Sequence, residues 1–542
     1  MSTFYVENFG CRATQADGAA LERQFAERGL ARAPNPAQAD LVVFNSCTVT
    51  AAADQDARAA IRRVRRQNPD AKIVVTGCYA QRAPEEVATL PGVTCVVGNS
   101  HKHQLADLAL ELDNLAPRRD AFIPLDSLVH SGQRRTINDQ RPIFVSDIFA
   151  HTELLAAPFF ESANSEFAPN DAHENQRTRP NLKVQDGCDN RCSFCVIPFV
   201  RGQSRSLPHE QILREVNALI AAGYREVVIS GINLGRWGRD LALSPQLSAH
   251  SQTHDPSRRD NSWPVGQRRT TNGQRLESLI RAILSETRLE KLRISSVEPM
   301  DWSRELIALM ALSSRIAKHA HLPLQSGSDA VLRRMHRKYR PWHYREKIEQ
   351  IRAAMPSAAI GADVMVGFPG ESDAEFEATR RFIDDLPFTY LHVFTYSARP
   401  GTPAAAMPDQ VPLHVARERN RILRDLAGEK KLAFMRSFIG TSLAAITLNA
   451  VHNGPDGEFT EALTDNYQKL YLQGGREANR WITAHVEGVK DGAMAGSVAV
   501  PSGPAPGTHV EHRIHPRPDK SKAQAAGGRN PRPSKTAKTG AA

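Results

Sequence analysis

The residues in this chain whose type and spacing can do chemistry are its seven cysteines, Cys11, Cys47, Cys78, Cys95, Cys188, Cys192 and Cys195. Three of them fall in Cys188-Asp-Asn-Arg-Cys192-Ser-Phe-Cys195, a C-x3-C-x2-C run. Three thiolates on one short loop can hold three corners of a [4Fe–4S] cube and leave the fourth iron without a protein ligand, a vacancy where a substrate can coordinate. A structural zinc would want four ligands, usually as paired C-x2-C or with histidines. No fourth Cys or His lies close by, and His209 is the nearest downstream. Three further cysteines each follow a short apolar run: Gly10-Cys11 after Thr3 to Phe9, Asn45-Ser46-Cys47 after Ala39 to Phe44, and Thr76-Gly77-Cys78 after Ala71 to Val75. Cys95 lies inside its run, Val93 to Val97, and reads as a small buried hydrophobe.

The elements that must position these thiols follow from the pattern between them. Helical stretches, Gly18 to Gly29 and Asp54 to Gln67, separate the apolar runs. The second has Ala57, Ala60, Ile61 and Val64 on one face and Arg58, Arg62, Arg65 and Arg66 on another, at helical period. Strand–helix–strand alternation with buried strands means parallel pairing with right-handed crossovers, a doubly wound sheet. Sites in such sheets lie at the carboxyl ends of the strands. The spacings of 36 and 31 residues fit one βα unit each, so Cys11, Cys47 and Cys78 converge on one edge.

A second run of alternation begins at Asn181, with strands expected at Leu182–Gln185, Glu226–Ser230, Lys291–Ser295, His321–Leu324, Ile360–Val366 and Tyr390–Tyr396. Six βα units indicate an open or partial (β/α) barrel. The C-x3-C-x2-C loop directly follows its first strand. A helix is expected from Pro412 to about Arg436, then five short, turn-separated strands that form a small all-β module, expected to be a barrel. The chain therefore divides into an N-terminal α/β domain (1–124), a polar linker or insertion (125–180), a barrel domain (181–430) with a polar insertion at about 244–274, a β module (437–501) and a basic tail (502–542).

Of the 542 residues, 41% are apolar, enough to bury several cores. No stretch approaches the roughly 18 apolar residues a membrane span needs, and the first residues lack the features of a secretory signal. A cytoplasmic protein is expected, in which cysteines serve metal binding or catalysis more often than disulfides. The net charge is +10. The tail from Ser502 carries eight Lys/Arg and two Asp/Glu and is rich in Pro, Gly and Ala, the composition of a disordered segment. The charge permits an acidic partner such as RNA without demanding one. Neither a G-x-x-x-x-G-K-[ST] loop nor a G-x-G-x-x-G run occurs, so nucleotide hydrolysis and dinucleotide binding have no motif behind them.

The cysteine loop at the head of a partial barrel resembles the radical S-adenosylmethionine superfamily. Val184-Gln-Asp-Gly-Cys188, Val196-Ile-Pro-Phe-Val-Arg-Gly-Gln-Ser-Arg205, Asn45-Ser-Cys-Thr-Val-Thr50 and Thr76-Gly-Cys-Tyr-Ala-Gln81 resemble its methylthiotransferases, most closely the branch acting on threonylcarbamoyladenosine in tRNA. The resemblance spans about residues 3 to 500, apart from the two polar insertions. It implies that Cys188, Cys192 and Cys195 hold a [4Fe–4S] cluster that binds S-adenosylmethionine, and that Cys11, Cys47 and Cys78 hold a second [4Fe–4S] cluster concerned with the sulfur. Through Thr464-Asp-Asn-Tyr467 the β module resembles the family's TRAM domain, which implies a hold on tRNA. One departure is Thr14, where relatives usually have Asn; its hydroxyl still offers a hydrogen bond.

The implied reaction needs such cofactors. The C2–H of an adenine is neither acidic nor open to a nucleophile, so acid–base groups alone would not replace it with sulfur, and the cofactor carries the hard step. The organic part of S-adenosylmethionine must then lie across the barrel's strand ends. Candidates for its contacts are Ser230, Gly231, Asn233, Glu298, Gln325, Ser326, Asp363 and Gly367, each at or beyond the end of a strand. Arg399-Pro-Gly401-Thr402 closes the last strand as a turn. Expected partners are tRNA and a flavodoxin- or ferredoxin-like electron donor, with the sulfur donor unspecified, no membrane, and a monomeric state. Alternative readings are methylthiolation of isopentenyladenosine or of a ribosomal-protein side chain, and an inactive iron–sulfur sensor that binds RNA.

Overall fold

The computed structural model describes residues 3–112, 141–160, 179–241, 274–454 and 457–499. The tail 502–542, nearly all of the 244–274 insertion and most of the linker lie outside these described residues. The chain begins with β1 (Thr3–Asn8), α1 (Arg12–Glu27), β2 (Ala31–Arg32), β3 (Leu41–Ser46), α2 (Ala51–Gln67), β4 (Lys72–Gly77), α3 (Cys78–Arg82) and β5 (Val93–Gly98). With β6 (Ile143–Phe144) these strands form a wholly parallel sheet in the order β2-β1-β3-β4-β5-β6. Successive residues point to opposite faces. Phe4, Val6, Leu41 and Val43 pack on Leu21 and Phe25 of α1, while Tyr5, Val42 and Phe44 share the other core with Ala57, Ile61 and Val64 of α2. Both faces are covered, as a doubly wound sheet requires. α1 starts six residues earlier than its apolar spacing suggests, directly at Cys11, and Ile143–Phe144 joins the sheet from within the polar stretch read as linker.

The next strands are β7 (Phe159–Phe160), β8 (Pro180–Asp186), β9 (Arg205–Ser206), β10 (Glu226–Gly231), β11 (Lys291–Ile294), β12 (His319–His321), β13 (Ala359–Val366) and β14 (Tyr390–Thr395). β8, β10 and β11 pair in parallel, as do β12, β13 and β14. A parallel bridge between Leu292 and Ile316 and the bond from Val297 N to His321 O link the two halves. These six strands are the partial barrel. β7 and β9 flank β8 in antiparallel fashion.

The helix Leu413–Arg436 leads to β15 (Ser442–Gly454), β16 (Gly457–Thr464), β17 (Lys469–Gln473), β18 (Trp481–Lys490) and β19 (Ala493–Val498), which close into a small barrel in the order β15-β16-β17-β19-β18. Its turn Thr464–Tyr467 is pressed against the larger barrel. Arg293, buried and paired with Glu226 at 2.6 Å, donates to Asp465 O and Thr464 O and lies over the Tyr467 ring, and Asn466 Nδ2 donates to Ser357 O at 3.0 Å. The motif that carried the likeness to an RNA-holding domain is thus a docking turn in this chain. Among the described residues no helix is long and apolar enough to cross a membrane.

Candidate active site

Three adjacent strand ends deliver the first trio of thiols: Cys11 caps α1 after β1, Cys47 follows β3, and Cys78 opens α3 after β4. β1 and β3 flank the point where the strand order reverses, so the chain leaves them in opposite directions and a crevice opens between. The Cys11 and Cys47 thiols lie close enough for each to shift the other's titration. Gly10 makes that approach possible: its φ is 93°, and a Cβ there would stand 2.5 Å from the Cys47 Cβ and 2.7 Å from its Sγ. Gly77, at φ 100°, would drive a Cβ to 2.2 Å from Ser46 O. Each sulfur also has a polar neighbour: Thr14 Oγ1 stands 3.6 Å from Cys11, Val49 N 3.5 Å from Cys47 and Asn99 Nδ2 3.5 Å from Cys78. The neighbouring Cys47 thiol, with help from Arg201, pulls Cys11 well below the ordinary thiol range; the same proximity pushes Cys47 up, and burial pushes Cys78 up.

Beside this trio lies a buried ion network that joins the two α/β domains. Asp17 of α1 receives Lys102 at 2.9 Å, Arg201 at 3.1 Å and Lys183 of β8. Asp186 receives Lys183 at 2.8 Å and Arg201 at 2.9 Å. Burial would raise the Asp17 carboxyl, but its three cations outweigh that and hold it at about 2; Asp186 is driven down likewise by Arg201 and Lys183. Two carboxylates face three cations, a surplus of positive charge next to Cys11 and Cys78. Isolated buried charge is costly, and an anionic thiolate-bound cluster would complete the balance. The Gly10 cradle, the three-sulfur donor set and this surplus all fit an iron–sulfur group.

The second trio sits on the loop after β8. Cys188 Sγ accepts from Asn190 N at 3.4 Å and Asn233 Nδ2 at 3.5 Å, and Cys192 Sγ accepts from Arg337 Nη1 at 3.3 Å. Arg337 is itself fixed by Glu298 and by Tyr339 Oη at 3.1 Å. Burial raises Cys188 and pushes Cys195 up to about 12. Three thiols on one eight-residue loop, with sulfur-directed donors from Asn190, Asn233 and Arg337, fit the same kind of cluster. The trios meet at one apolar patch, where Cys78 packs with Val196, Ile197 and Val200, and Cys188, Cys195 and Ile232 pack against it.

A cavity of about 500 Å³ opens beside the first trio, within the usual size of a ligand pocket. Cys11, Arg12, Ala13, Lys183, Ser230, Gly231 and Ile232 line it, together with Ser295, Ser296 and Pro323. Its far wall is His319, His321, Asp363, Tyr390 and His392 of the barrel and Tyr467 of the small β-barrel.

Of the expected cofactor contacts, Ser230, Gly231 and Asp363 line this cavity, and Asn233 and Glu298 reach the second trio directly and through Arg337. Gln325, at φ 63°, keeps its buried Oε1 without a hydrogen bond. Ser326 and Gly367 are engaged in the fold: Ser326 Oγ bonds Thr379 Oγ1 at 3.0 Å, and a Cβ on Gly367 would stand 2.5 Å from the Ala416 Cβ. Arg399 does more than shape a turn, because it reaches Thr48 Oγ1 at 2.7 Å and pairs with Asp54, tying the last barrel strand to the Cys47 loop. Sequence reasoning missed Asp17, Lys102, Lys183, Asp186, Arg201 and Arg337, and the histidine wall. A lysine inside the apolar run Leu182–Val184 and histidines two apart at 319 and 321 were the available signals.

Comparison with known proteins agrees with this division. Residues 3–98 match the uncharacterized protein family UPF0004, and residues 182–383 match the radical SAM superfamily. The chain is 33% identical over 477 residues to the threonylcarbamoyladenosine tRNA methylthiotransferase MtaB of Bacillus subtilis, covering 88% of this chain and 91% of that one. It is 32% identical to the MtaB of Aquifex aeolicus, covering 88% and 98%. A tRNA-2-methylthio-N(6)-dimethylallyladenosine synthase of Novosphingobium aromaticivorans is 32% identical over 443 residues, covering 81% and 85%. Two facing thiol trios on a doubly wound sheet and a partial barrel, with likeness along nearly the whole length, have one reading: the chain belongs to the radical SAM methylthiotransferases, in their MtaB-like branch.

Proposed function

We propose that the protein uses S-adenosylmethionine and two [4Fe–4S] clusters to replace the C2 hydrogen of N6-threonylcarbamoyladenosine, beside the anticodon of tRNA, with a methylthio group. The observation that carries this is the meeting of the two thiol trios around the Cys78–Val196–Cys195 patch, next to a cavity large enough for a nucleoside. Cys188, Cys192 and Cys195 would hold the cluster that binds S-adenosylmethionine; Cys11, Cys47 and Cys78 would hold the other. Bound there, the clusters supply one-electron chemistry and a sulfur site, which no side chain provides. The chain's own residues orient and shield. Gly10 and Gly77 let the first three thiols converge, Arg337 and Asn233 donate to sulfurs of the second three, and Arg399, Asp17 and Arg201 clamp the two domains so that the cavity keeps its shape.

The small β-barrel is the family's TRAM-like domain and supports the RNA. The protein works in the cytoplasm as a monomer, with a flavodoxin- or ferredoxin-like donor supplying electrons. Iron and sulfide counting on anaerobically reconstituted protein tests the central part. About eight irons are expected in the wild type and about four in Cys47→Ala and in Cys192→Ala, at four per cube. Nucleoside analysis of tRNA from a deletion strain should show loss of the methylthio form of threonylcarbamoyladenosine. Four irons in the wild type, or unchanged nucleosides, would refute the assignment.

A further inference from the structure

The far wall of the cavity is more polar than a cluster pocket needs. His319 and His321 alternate on β12, so they share a face, and Asp363 of β13 pairs in register with His392 of β14. Ligand atoms of His321, Asp363 and His392 all lie within 4.8 Å of one another, and His321 Nε2 stands 3.4 Å from Asp363 Oδ1. His319 Nε2 pairs with Tyr390 Oη at 2.7 Å, and its ring lies 4.5 Å from that of Tyr467. His319 and His321 are only 6% and 8% exposed, yet His319 Nδ1 has no hydrogen-bond partner and His321 Nε2 has the Asp363 carboxylate beside it without a well-aligned hydrogen bond. Buried polar atoms left this way mark a place where a polar ligand belongs. Arg12, on the same cavity, adds its guanidinium to the field around Asp363 and His392.

We propose that this wall, His319, His321 and His392 with Asp363 among them and Tyr467 from the small barrel, is the subsite for the polar, carboxylate-bearing appendage on the N6 atom of the substrate adenosine. The inference rests on the reaction assigned above and adds how the substrate is told apart. A threonylcarbamoyl group offers a carboxylate, a hydroxyl and two ureido N–H groups; imidazole N–H and Arg12 suit the carboxylate, and Asp363 can accept from the hydroxyl or the ureido N–H. An apolar five-carbon appendage would satisfy none of them, and sites built from buried polar groups reject analogues that leave those groups unpaired. The assignment moves Asp363, expected from the sequence to contact S-adenosylmethionine, to the substrate side of the cavity that it shares with Ser230 and Gly231.

The test is binding of a fluorescein-labelled anticodon stem-loop to the anaerobic protein with both clusters in place, followed by anisotropy. One RNA carries threonylcarbamoyladenosine and a second carries the same nucleoside with its carboxylate capped as the methylamide. The wild type should bind the acid about 10- to 100-fold more tightly than the amide, the scale of one or two lost charge-assisted hydrogen bonds. His321→Ala and His392→Ala should bring that ratio close to one, and His392→Gln, which keeps a donor, should recover part of it. Each ratio is internal to one variant, so a partly misfolded preparation lowers both affinities alike. Equal affinities in the wild type, or an unchanged ratio in the alanine variants, would overturn the subsite. So would about one equivalent of a non-iron metal that His392→Ala loses, because the triad would then hold a cation. Methylthiolation of the acid stem-loop, read separately by nucleoside mass spectrometry, tests the reaction: its absence beside an intact carboxylate preference would overturn the reaction and keep the subsite.

Discussion

The thiols of Cys188, Cys192 and Cys195 lie on eight consecutive residues, whereas those of Cys11, Cys47 and Cys78 come from strand ends 36 and 31 residues apart. A loop can gather its three sulfurs before the rest of the chain has folded. The other set exists only once β1, β3 and β4 are in register, and so depends on the whole sheet. Their surroundings differ in the same sense. Around the loop, one arginine and one asparagine side chain reach sulfur. Beside the sheet-borne trio, five buried charged groups from both α/β domains interlock. The loop is a portable device attached to a barrel; the sheet edge is a site that belongs to the interface.

The largest effect that could break this comparison is a division of products. Cys192→Ala should abolish cleavage of S-adenosylmethionine to 5′-deoxyadenosine altogether, by about a thousandfold or more, since one missing thiolate opens the loop site. Cys47→Ala should still form 5′-deoxyadenosine and lose the methylthio nucleoside. Chromatographic quantification of both products in each variant checks this. Equal loss of both in the two variants would mean that the trios are one functional unit.

Next in size is the charge network. Asp17→Asn removes half of the negative charge facing Lys102, Lys183 and Arg201, and breaking a buried pair on one side typically costs about 3–5 kcal/mol. The melting midpoint of the variant should fall by several degrees, measured by calorimetry at neutral pH. The pH dependence has a definite sign. The folded Asp17 carboxyl is held at about 2, below its unfolded value of about 3.9. Its stabilisation is therefore complete above about pH 4 and fades as pH falls toward about 2. Asp17→Asn should lack that component. A variant as stable as the wild type would show that the sheet-borne trio does not rely on the interface.

Much of this division was legible in the sequence, for physical reasons. Strand ends that carry Cys after Gly, and helices with a clear apolar stripe such as Ala57, Ala60, Ile61 and Val64, announce themselves through local period and turn chemistry. The C-x3-C-x2-C loop is legible because its three thiols are neighbours in the chain. What stayed hidden depends on pairs far apart in the chain: Asp17 with Lys183, 166 residues away, and Arg399 with Thr48, 351 residues away, carry no local pattern. Ser326 and Gly367 were singled out for their position beyond a strand, and their contacts with Thr379 and Ala416, 53 and 49 residues away, left no local pattern either. The histidine wall was missed because three strands, each contributing one or two residues, compose it only after the barrel closes.

The smallest expected effect concerns Cys95, which shares the first sheet with Cys11, Cys47 and Cys78. It lies in the middle of β5, 1% exposed, among Val74, Val97 and Leu41, and burial pushes its thiol up to about 12. Such a group is neutral at pH 7 and has no access to metal, so it behaves as a small hydrophobe. Cys95→Ala should cost about 1 kcal/mol, from the small cavity left behind, and should leave the iron count at about eight, as four per cube requires. The native wild-type thiol should resist alkylation while cluster-free Cys11 reacts, because nucleophilicity follows the thiolate and its exposure. A fall to about four irons in Cys95→Ala would mean that burial within the sheet, and not position at its carboxyl edge, selects the thiols that hold iron. The sheet-borne trio would then lose the feature that sets it apart from the loop.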